Sequence, residues 1–204
     1  MKDISVKALA KINLGLDVVR KREDGYHEVR MVMQTIHLFD RLEISKNTSG
    51  EITMETNLSF LPTNENNLVY KAAKLLQDEF AIKDGVHVWL HKYIPVAAGM
   101  AGGSTDAAAV LYGMNQIFDL GLTREELMER GVKIGADVPY CIMRGTALAE
   151  GIGEKLSKLP PMVKCPVLIA KPQISVSTKF VYENLKLGSD MVHPDIDRLV
   201  ADIR

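Results

Sequence analysis

The first third of the chain alternates apolar and polar positions with a period of two, which is typical of β-strands. The apolar residues of the first run are Ile4, Val6, Ala8, Ile12, Leu14, Leu16 and Val18. Residues 29–44 are rich in β-branched and long apolar side chains, and they predict one long strand, or two that break near Phe39 and Asp40. A hairpin partner for this strand is expected near residues 51–55. The chain is therefore expected to begin with meandering strands.

Apolar residues spaced three and four positions apart predict helices further along the chain. They form three stripes: Leu68, Val69, Ala72, Leu75, Leu76 and Phe80; Ala107, Val110, Leu111, Met114, Ile117 and Phe118; and Ile196, Leu199, Val200 and Ile203. Asn66 or Asn67 is expected to cap the first helix. A further helix is predicted to begin at Thr123, because Glu126 completes a capping box with it. Strands are predicted at residues 86–90, 147–149 and 167–170.

Composition and charge narrow the class of protein. The 204 residues are 47% hydrophobic and 25% charged with a net charge of −1, which is typical of a globular protein without the basic excess expected for nucleic-acid binding. The absence of an apolar signal segment and of a bilayer-spanning run predicts a cytoplasmic location. Cys141 and Cys165 lie in apolar stretches and are expected to be reduced core thiols, with a disulfide as the less favoured alternative.

Two prolines within residues 158–162 mark the best candidate for a linker, because they interrupt regular structure. Only about forty residues follow, too few for an ordinary independent domain. The last helical stripe has no stop signal after it. We therefore expect one domain over residues 1–157 and the beginning of a second over residues 158–204.

A loop of small residues over positions 95–106, Pro-Val-Ala-Ala-Gly-Met-Ala-Gly-Gly-Ser-Thr-Asp, precedes the second predicted helix. Gly99, Gly102 and Gly103 let backbone N–H groups face a ligand without an intervening Cβ. The helix start adds unpaired N–H donors and the positive end of the helix dipole, and Ser104 and Thr105 add hydroxyl groups. These features predict a phosphate-binding loop, with a tight strand-to-helix turn packed on a sheet as the alternative. The loop lacks the Lys of a P-loop and the glycine spacing of a dinucleotide-binding fingerprint.

Three other segments carry candidate functional side chains. Lys11 and Asn13 share one face of the first strand, which alone favours an ordinary solvated face. Asp137, within Gly-Ala-Asp-Val-Pro, is either a cap or a functional carboxylate. If Lys11 and Asp137 meet, the ammonium group would keep the carboxylate ionised and would stabilise charge on an attacking oxygen. Tyr26 and His27 offer a stacking ring and polar groups, with an ordinary surface loop as the alternative.

Together these segments resemble those of the GHMP kinases, and the resemblance covers essentially the whole chain. The segments are Ala-Lys-Ile-Asn-Leu at 10–14, Asp-Gly-Tyr-His at 24–27, the loop beginning at 95 and Gly-Ala-Asp-Val-Pro at 135–139. The loop is typical of the whole superfamily. The Gly-Tyr-His and Gly-Ala-Asp-Val-Pro segments are similar to those of the members that phosphorylate a cytidine diphosphate-linked polyol in the non-mevalonate route to isoprenoids.

The resemblance implies a fold. It is an α+β fold, with a two-layer GHMP-kinase N-terminal domain similar to a domain of a ribosomal protein, followed by the beginning of a ferredoxin-like C-terminal domain. The family's late Gly-rich motif is not found after Gly188, so a C-terminally truncated chain is expected.

The resemblance also implies a reaction and the residues that perform it. ATP, with Mg²⁺ bridging its phosphates, would phosphorylate a hydroxyl group; Asp137 would accept the hydroxyl proton, and Lys11 would hold Asp137 ionised. ATP contacts are implied for Asn67, Lys92, Pro95, Val96, Ala97, Ala98, Gly99, Met100, Ala101, Gly102, Gly103, Ser104 and Thr105. Contacts with the small-molecule substrate are implied for Asn13, Tyr26, His27, Thr178 and Tyr182. No nucleic-acid or membrane partner is implied, and the metal ligands and oligomeric state stay open.

Other functions remain as alternatives at this point. A GHMP kinase acting on homoserine or mevalonate would need an Arg fork for a small acid, and Arg22 and Arg30 lie near the Gly-Tyr-His loop. A non-catalytic fragment that binds RNA is disfavoured by the neutral charge balance. A nucleotide sensor that binds ATP without turnover is a third alternative.

Overall fold

The structure, a computed structural model, describes residues 3–172, 174, 176–188 and 191–203, and it combines strands with helices as the α+β prediction requires. The strands are β1 (Asp3–Lys21), β2 (His27–Asn47), β3 (Ile52–Thr56), β4 (Gly85–His91), β5 (Thr146–Glu150) and β6 (Lys155–Lys158). The helices are α1 (Leu68–Glu79), α2 (Gly102–Ile117), α3 (Arg124–Val132), α4 (Val138–Met143), α5 (Thr178–Asn184) and α6 (Ile196–Ile203). No helix among these described residues is long and apolar enough to cross a membrane.

The chain divides into two compact units, each built from several segments. The first unit comprises residues 3–10, Ile36–Pro95 and Ala101–Met143. The second unit comprises Lys11–Thr35, Val96–Met100 and residues 144–203. Because β1 and β2 each contribute to both units, the units are not successive stretches of chain. The domain boundary near residue 158 stays a prediction.

In the first unit, β4 lies between β3 and the second half of β2. β4 pairs antiparallel with β2, with Leu42 opposite Leu90, and β3 pairs parallel with β4, with Met54 opposite Val88. The strand near residues 51–55 was therefore predicted correctly in place but wrongly as a hairpin partner of β2. The reason is the intervening helix α1, which supplies the crossover that a parallel pair needs.

The core of the first unit lies between this sheet and helix α2. Leu111 and Met114 of α2 are fully buried, as are Leu42 and Leu90 of the sheet. At Gly113 a Cβ atom would lie 2.4 Å from Cδ1 of Ile44, so a larger residue there would force the Ile44 side chain to shift. This close packing holds α2 against β2.

In the second unit, β5 lies between the first half of β2 and β6. β5 pairs antiparallel with both neighbours, with Val32 opposite Leu148 and Leu148 opposite Ser157. Helix α6 buries Ile196 and Val200 against Val32 and Leu159. The apolar stripe predicted at residues 196–203 is thus a helix with a core-facing side.

Two predictions for the second unit were wrong. Residues 167–170 form no strand, and Leu168 is 97% exposed. A strand needs a partner for its backbone hydrogen bonds, and an apolar run does not supply one. None of the described strands pairs with residues 167–170. Cys165, predicted to be a core thiol, is exposed, whereas Cys141 is buried as predicted. Both cysteines are free, so the less favoured disulfide is excluded.

Candidate active site

The glycine loop before α2 has an unusual backbone. Ala97, Gly99 and Ala101 have φ angles of 54°, 70° and 55°, in the left-handed region. Glycine adopts this conformation without cost, but alanine does not, and such strain is concentrated at functional sites. The loop is therefore held in a conformation that local propensity does not favour.

Among the described residues, no side chain caps the N-terminus of α2. Ala101 occupies the N-cap position, and no acidic residue lies in the first turn. The first intrahelical bond runs from the Thr105 N–H to the Ala101 carbonyl, 2.8 Å away. The N–H groups at the start of any helix have no intrahelical acceptor, and together with the helix dipole they attract anions. The geometry fits the phosphate-binding loop that the sequence predicted.

Gly102 stands where a side chain would intrude. A Cβ atom there would lie 3.1 Å from Nζ of Lys92 and 3.3 Å from Cγ2 of Ile94. At Gly103 the nearest atom would be 3.6 Å away, an ordinary contact. Glycine is therefore favoured at position 102, where a Cβ atom would push its neighbours aside, and at position 99, where the φ angle is left-handed.

Lys92 is the centre of a buried ion cluster formed with Asp40 and Asp106. The Lys92 ammonium group donates to Oδ2 of Asp40 and, at 2.7 Å, to Oδ2 of Asp106. Oδ1 of Asp40 also accepts from the backbone N–H groups of Tyr93 (2.5 Å) and Ile94 (2.8 Å). All three charged side chains are buried. Sequence reasoning singled out Lys92 but not Asp40.

Burial, the largest cause, and the negative charge of Asp40 together raise the pKa of Asp106 to about 8, although the Lys92 ammonium group opposes both effects. Oδ1 of Asp106 makes no hydrogen bond to any described residue, which adds to the cost of ionisation. Asp106 consequently holds its proton to a higher pH than an exposed carboxyl group does. With Asp106 protonated, the buried ion cluster contains one positive and one negative charge.

Lys11, predicted to act with Asp137, and Asn13, predicted to contact the substrate, lie together on β1. The Lys11 ammonium group donates to Oδ1 of Asn13 at 3.1 Å, and the Lys11 side chain is buried. The Lys11 backbone N–H donates to the carbonyl of Met100 at 3.2 Å. This strand therefore runs directly beside the glycine loop, and a buried ammonium group is placed in the second unit.

Asp137 lies at the turn that begins α4, in the first unit. Its carbonyl accepts from the N–H of Cys141 at 3.1 Å, which puts Asp137 at the cap position of this helix. The residue is half-buried. The meeting of Asp137 with Lys11, which belongs to the second unit, stays a prediction.

The predicted substrate residues of the second unit include one pair that the structure brings together. The rings of His27 and Tyr182 are stacked, with centroids 4.9 Å apart and planes 26° from parallel. Tyr26, which precedes His27 in the sequence, is 60% exposed. Thr178 begins α5, and its side chain lies outside the described part of the chain. Two aromatic side chains distant in sequence thus form a polar-edged stacking surface.

Asn67 caps α1, as the sequence predicted. Its side-chain oxygen accepts from the N–H of Val69 at 3.0 Å, and its amide donates to the carbonyl of Pro62 at 2.8 Å. These bonds fix the residue as a helix cap. Its contact with a nucleotide stays a prediction, as does that of Lys92.

Comparison with known proteins places the chain in a family. Residues 67–145 match the GHMP kinases N terminal domain. The chain is 62% identical over 200 residues to 4-diphosphocytidyl-2-C-methyl-D-erythritol kinase of Lachnoclostridium phytofermentans, covering 98% of this chain and 69% of that protein. It is 58% identical over 204 residues to the enzyme of the same name of Lachnospira eligens, covering 100% of this chain and 71% of that protein.

Solved structures agree with the sequence relatives. A crystal structure of 4-(cytidine 5'-diphospho)-2C-methyl-D-erythritol kinase superimposes with a TM-score of 0.77 at 30% identity, over 98% of this chain and 71% of that one. Homoserine kinase from Cytophaga hutchinsonii superimposes with a TM-score of 0.64 at 17% identity, over 100% of this chain and 70% of that one, which shows a shared fold alone. The chain therefore belongs to the GHMP kinases, in the 4-diphosphocytidyl-2-C-methyl-D-erythritol kinase family.

Proposed function

We propose that this chain transfers the γ-phosphoryl group of ATP to the 2-hydroxyl of 4-diphosphocytidyl-2-C-methyl-D-erythritol, a step of isoprenoid biosynthesis. The observation that carries the proposal is the strained glycine loop that leads into the uncapped N-terminus of α2. Relatives at 58–62% identity bear the name of this kinase. The named substrate has a nucleobase at one end and a polyol at the other, so the chain must recognise two nucleotides.

The ATP phosphates would bind residues 95–105 of the glycine loop. Left-handed residues turn successive N–H groups toward one side of such a loop, and backbone N–H groups of this kind bind anions. The hydroxyl groups of Ser104 and Thr105 add donors in the first turn of α2. In-line phosphoryl transfer needs mainly positioning and neutralisation of charge, which such a loop supplies without a dedicated lysine.

Asp137 would be the general base of the reaction. It would accept the proton of the 2-hydroxyl group as the oxygen attacks the γ-phosphorus and ADP leaves. Lys11 would keep Asp137 ionised and would stabilise negative charge on the attacking oxygen. The burial of the Lys11 ammonium group supports this role, because a charge out of bulk water acts more strongly on its neighbours.

The cytosine end of the substrate would bind at the stacked rings of His27 and Tyr182, with Tyr26, Asn13 and Thr178 around it. A planar base gains most from flat aromatic partners, and the imidazole can also form hydrogen bonds with it. A homoserine or mevalonate kinase has no base to stack. The stacked pair therefore favours the cytidyl substrate over these alternatives.

Mg²⁺ would enter with ATP and neutralise charge on its phosphates. Among the described residues, no group of three or more His, Cys, Asp or Glu side chains is arranged to hold a metal ion. We therefore propose that the phosphates supply most of its ligands, with hydroxyl groups of the first α2 turn nearby. ATP and a cytidine nucleotide as substrates fit a cytoplasmic protein.

The test is ADP release measured with and without 4-diphosphocytidyl-2-C-methyl-D-erythritol, with phosphorus NMR to locate the new phosphate on the product. ADP release that requires the cytidyl compound and yields its 2-phosphate is the expected result. Equal ADP release with homoserine or mevalonate, or ATP binding without any turnover, would contradict the proposal.

A further inference from the structure

The buried ion cluster connects the two ends of the glycine loop. Asp40, on β2, accepts the N–H groups of Tyr93 and Ile94, which directly precede the loop. Lys92 adjoins these residues and extends to Asp106, the last residue of the loop, which lies in the second turn of α2. The spacing between the end of β4 and the start of α2 is therefore set by one chain of contacts.

Asp40 makes the largest number of hydrogen bonds in this series of contacts. It is fully buried and accepts three hydrogen bonds from residues 92–94, so it holds both the backbone and the Lys92 ammonium group. Asp106, in contrast, is bonded to Lys92 through only one oxygen. Loss of the Asp40 carboxylate would release the end of β4 and would leave Lys92 with Asp106 as its partner.

We propose that Asp40 is a positioning residue for ATP binding, which holds, through Lys92, both ends of the glycine loop at the separation that the left-handed residues between them require. The inference rests on the proposed function for the identity of the ligand. Asp40 is fully buried beneath the loop ends, and its effect on ATP passes through the backbone of the loop.

Two physical arguments support a role beyond stability. Buried ion pairs are often replaceable by apolar residues without loss of stability, so a buried cluster of three ionisable groups is not explained by stability alone. Strained backbone at Ala97 and Ala101 persists only where surrounding contacts fix it, and the loop ends are where such contacts act. The raised pKa of Asp106 agrees, because the proton-bound acid lets Lys92 join both carboxyl groups without net buried charge.

The first test variant is Asp40→Asn. The amide oxygen still accepts from Tyr93 and Ile94, but the amide no longer attracts the Lys92 ammonium group. The second is the double variant Asp40→Asn with Lys92→Met, which removes the ammonium group as well, so that no unbalanced charge prevents folding. The matched control is Asn115→Ala, near the other end of α2, where a buried amide bonds to both the N–H and the carbonyl of Leu122.

Two quantities are measured for each variant. The first is amide hydrogen exchange without nucleotide at Thr105, whose N–H bonds to Ala101, and at Leu122. The second is the ATP dissociation constant from calorimetry, at a temperature where unfolding curves show every variant folded. A change in exchange measured without nucleotide cannot result from a lost contact between Lys92 and ATP. It therefore reports the positioning of the loop alone.

The proposal expects at least tenfold faster exchange at Thr105, with Leu122 unchanged, and at least a tenfold higher ATP dissociation constant in both Asp40 variants. In the control variant, faster amide exchange is expected at Leu122 but not at Thr105. Its ATP dissociation constant is expected to stay within twofold of that of the unchanged protein. If the folded double variant keeps both the Thr105 exchange rate and the ATP affinity within twofold, the proposal is wrong. If the unchanged protein binds no ATP, the proposed function fails, and Thr105 exchange still decides whether Asp40 positions the loop.

Discussion

Helices α2 and α3 lie in the same unit, yet they begin in opposite ways. At α3, the Thr123 hydroxyl accepts from the Glu126 N–H at 3.2 Å, and the Glu126 carboxylate accepts from the Thr123 N–H at 2.8 Å. At α2, the N-cap residue is the left-handed Ala101, which makes no side-chain cap hydrogen bond. At α3 the capping box provides partners for the N–H groups of Thr123 and Glu126, whereas α2 has no such side-chain cap.

We interpret this difference as functional: the capped start of α3 stabilises the fold, and the uncapped start of α2 binds a ligand. The hydrogen bonds from Thr123 lower the pKa of Glu126, so the charge that stabilises the start of α3 is present at neutral pH. The start of α2 has no acidic residue in its first turn that would compete with a phosphate group. We therefore expect changes at α2 to alter ATP binding and changes at α3 to alter stability alone.

The largest effect is expected on kcat, from a substitution of the proposed base Asp137 that leaves the start of α2 unchanged. Asp137→Asn keeps the size of the side chain but removes the base, so kcat should fall about 10²–10⁴-fold while ATP affinity at α2 is kept. Steady-state kinetics and calorimetric ATP titration measure the two quantities. Turnover near the original rate would show that Asp137 is not the base.

Substitution of Gly102 tests the open start of α2 directly. Gly102→Ala adds a Cβ 3.1 Å from Nζ of Lys92, and Gly102→Val adds two further methyl groups. We expect a graded rise in the ATP dissociation constant, reaching about tenfold or more for valine, which corresponds to about 1.4 kcal/mol. Equal ATP affinity in all three proteins would argue against close approach of phosphate to this backbone.

The buried ion cluster beneath the start of α2 predicts a pH dependence that α3 does not share. Since the pKa of Asp106 is raised to about 8 in the folded protein, the folded state keeps a proton that the unfolded chain loses above about pH 4. The contribution of Asp106 to the free energy of unfolding is therefore greatest below about pH 4. It falls between about pH 4 and about pH 8, by up to about 1.4 kcal/mol per pH unit. Lys92 and Asp40 are the charged groups that it contacts.

Asp106→Asn removes this titration. Urea unfolding at pH 5, 6, 7 and 8 should show the stability of the unchanged protein falling relative to that of the variant as pH rises. A constant difference across that range would mean that Asp106 is already ionised in the folded protein.

The smallest effect is expected at α3. Thr123→Ala removes one half of the capping box and should lower the free energy of unfolding by about 1 kcal/mol, with no change in the KM for ATP. Urea unfolding and steady-state kinetics measure these. A raised KM for ATP would show that the two helix ends are not functionally separate.

The same contrast explains what the sequence could predict. The capping box of α3 and the Asn67 cap of α1 depend on residues two or three positions apart, so local pattern was sufficient. The glycine loop was predictable because its composition is itself the signal. These features depend on local chemistry, which a sequence displays directly.

Features that depend on distant residues were predicted poorly or only through family resemblance. Asp40 was considered as a possible strand break, but β2 continues through it because Lys92 and two backbone N–H groups neutralise and satisfy the carboxylate. The parallel pairing of β3 with β4 depends on the crossover through α1. Tyr182 was identified only by resemblance to known kinases. The sequence indicated a possible stacking role for Tyr26 and His27, but nothing local indicates that His27 stacks on Tyr182.

The most direct test of the central claim is amide hydrogen exchange with and without ATP, compared at the two helix starts. The account predicts that ATP slows exchange of the amides of residues 99–105 and leaves those of residues 123–127 unchanged. Exchange at residues 99–105 that ATP does not alter, under conditions where calorimetry shows ATP bound, would contradict it.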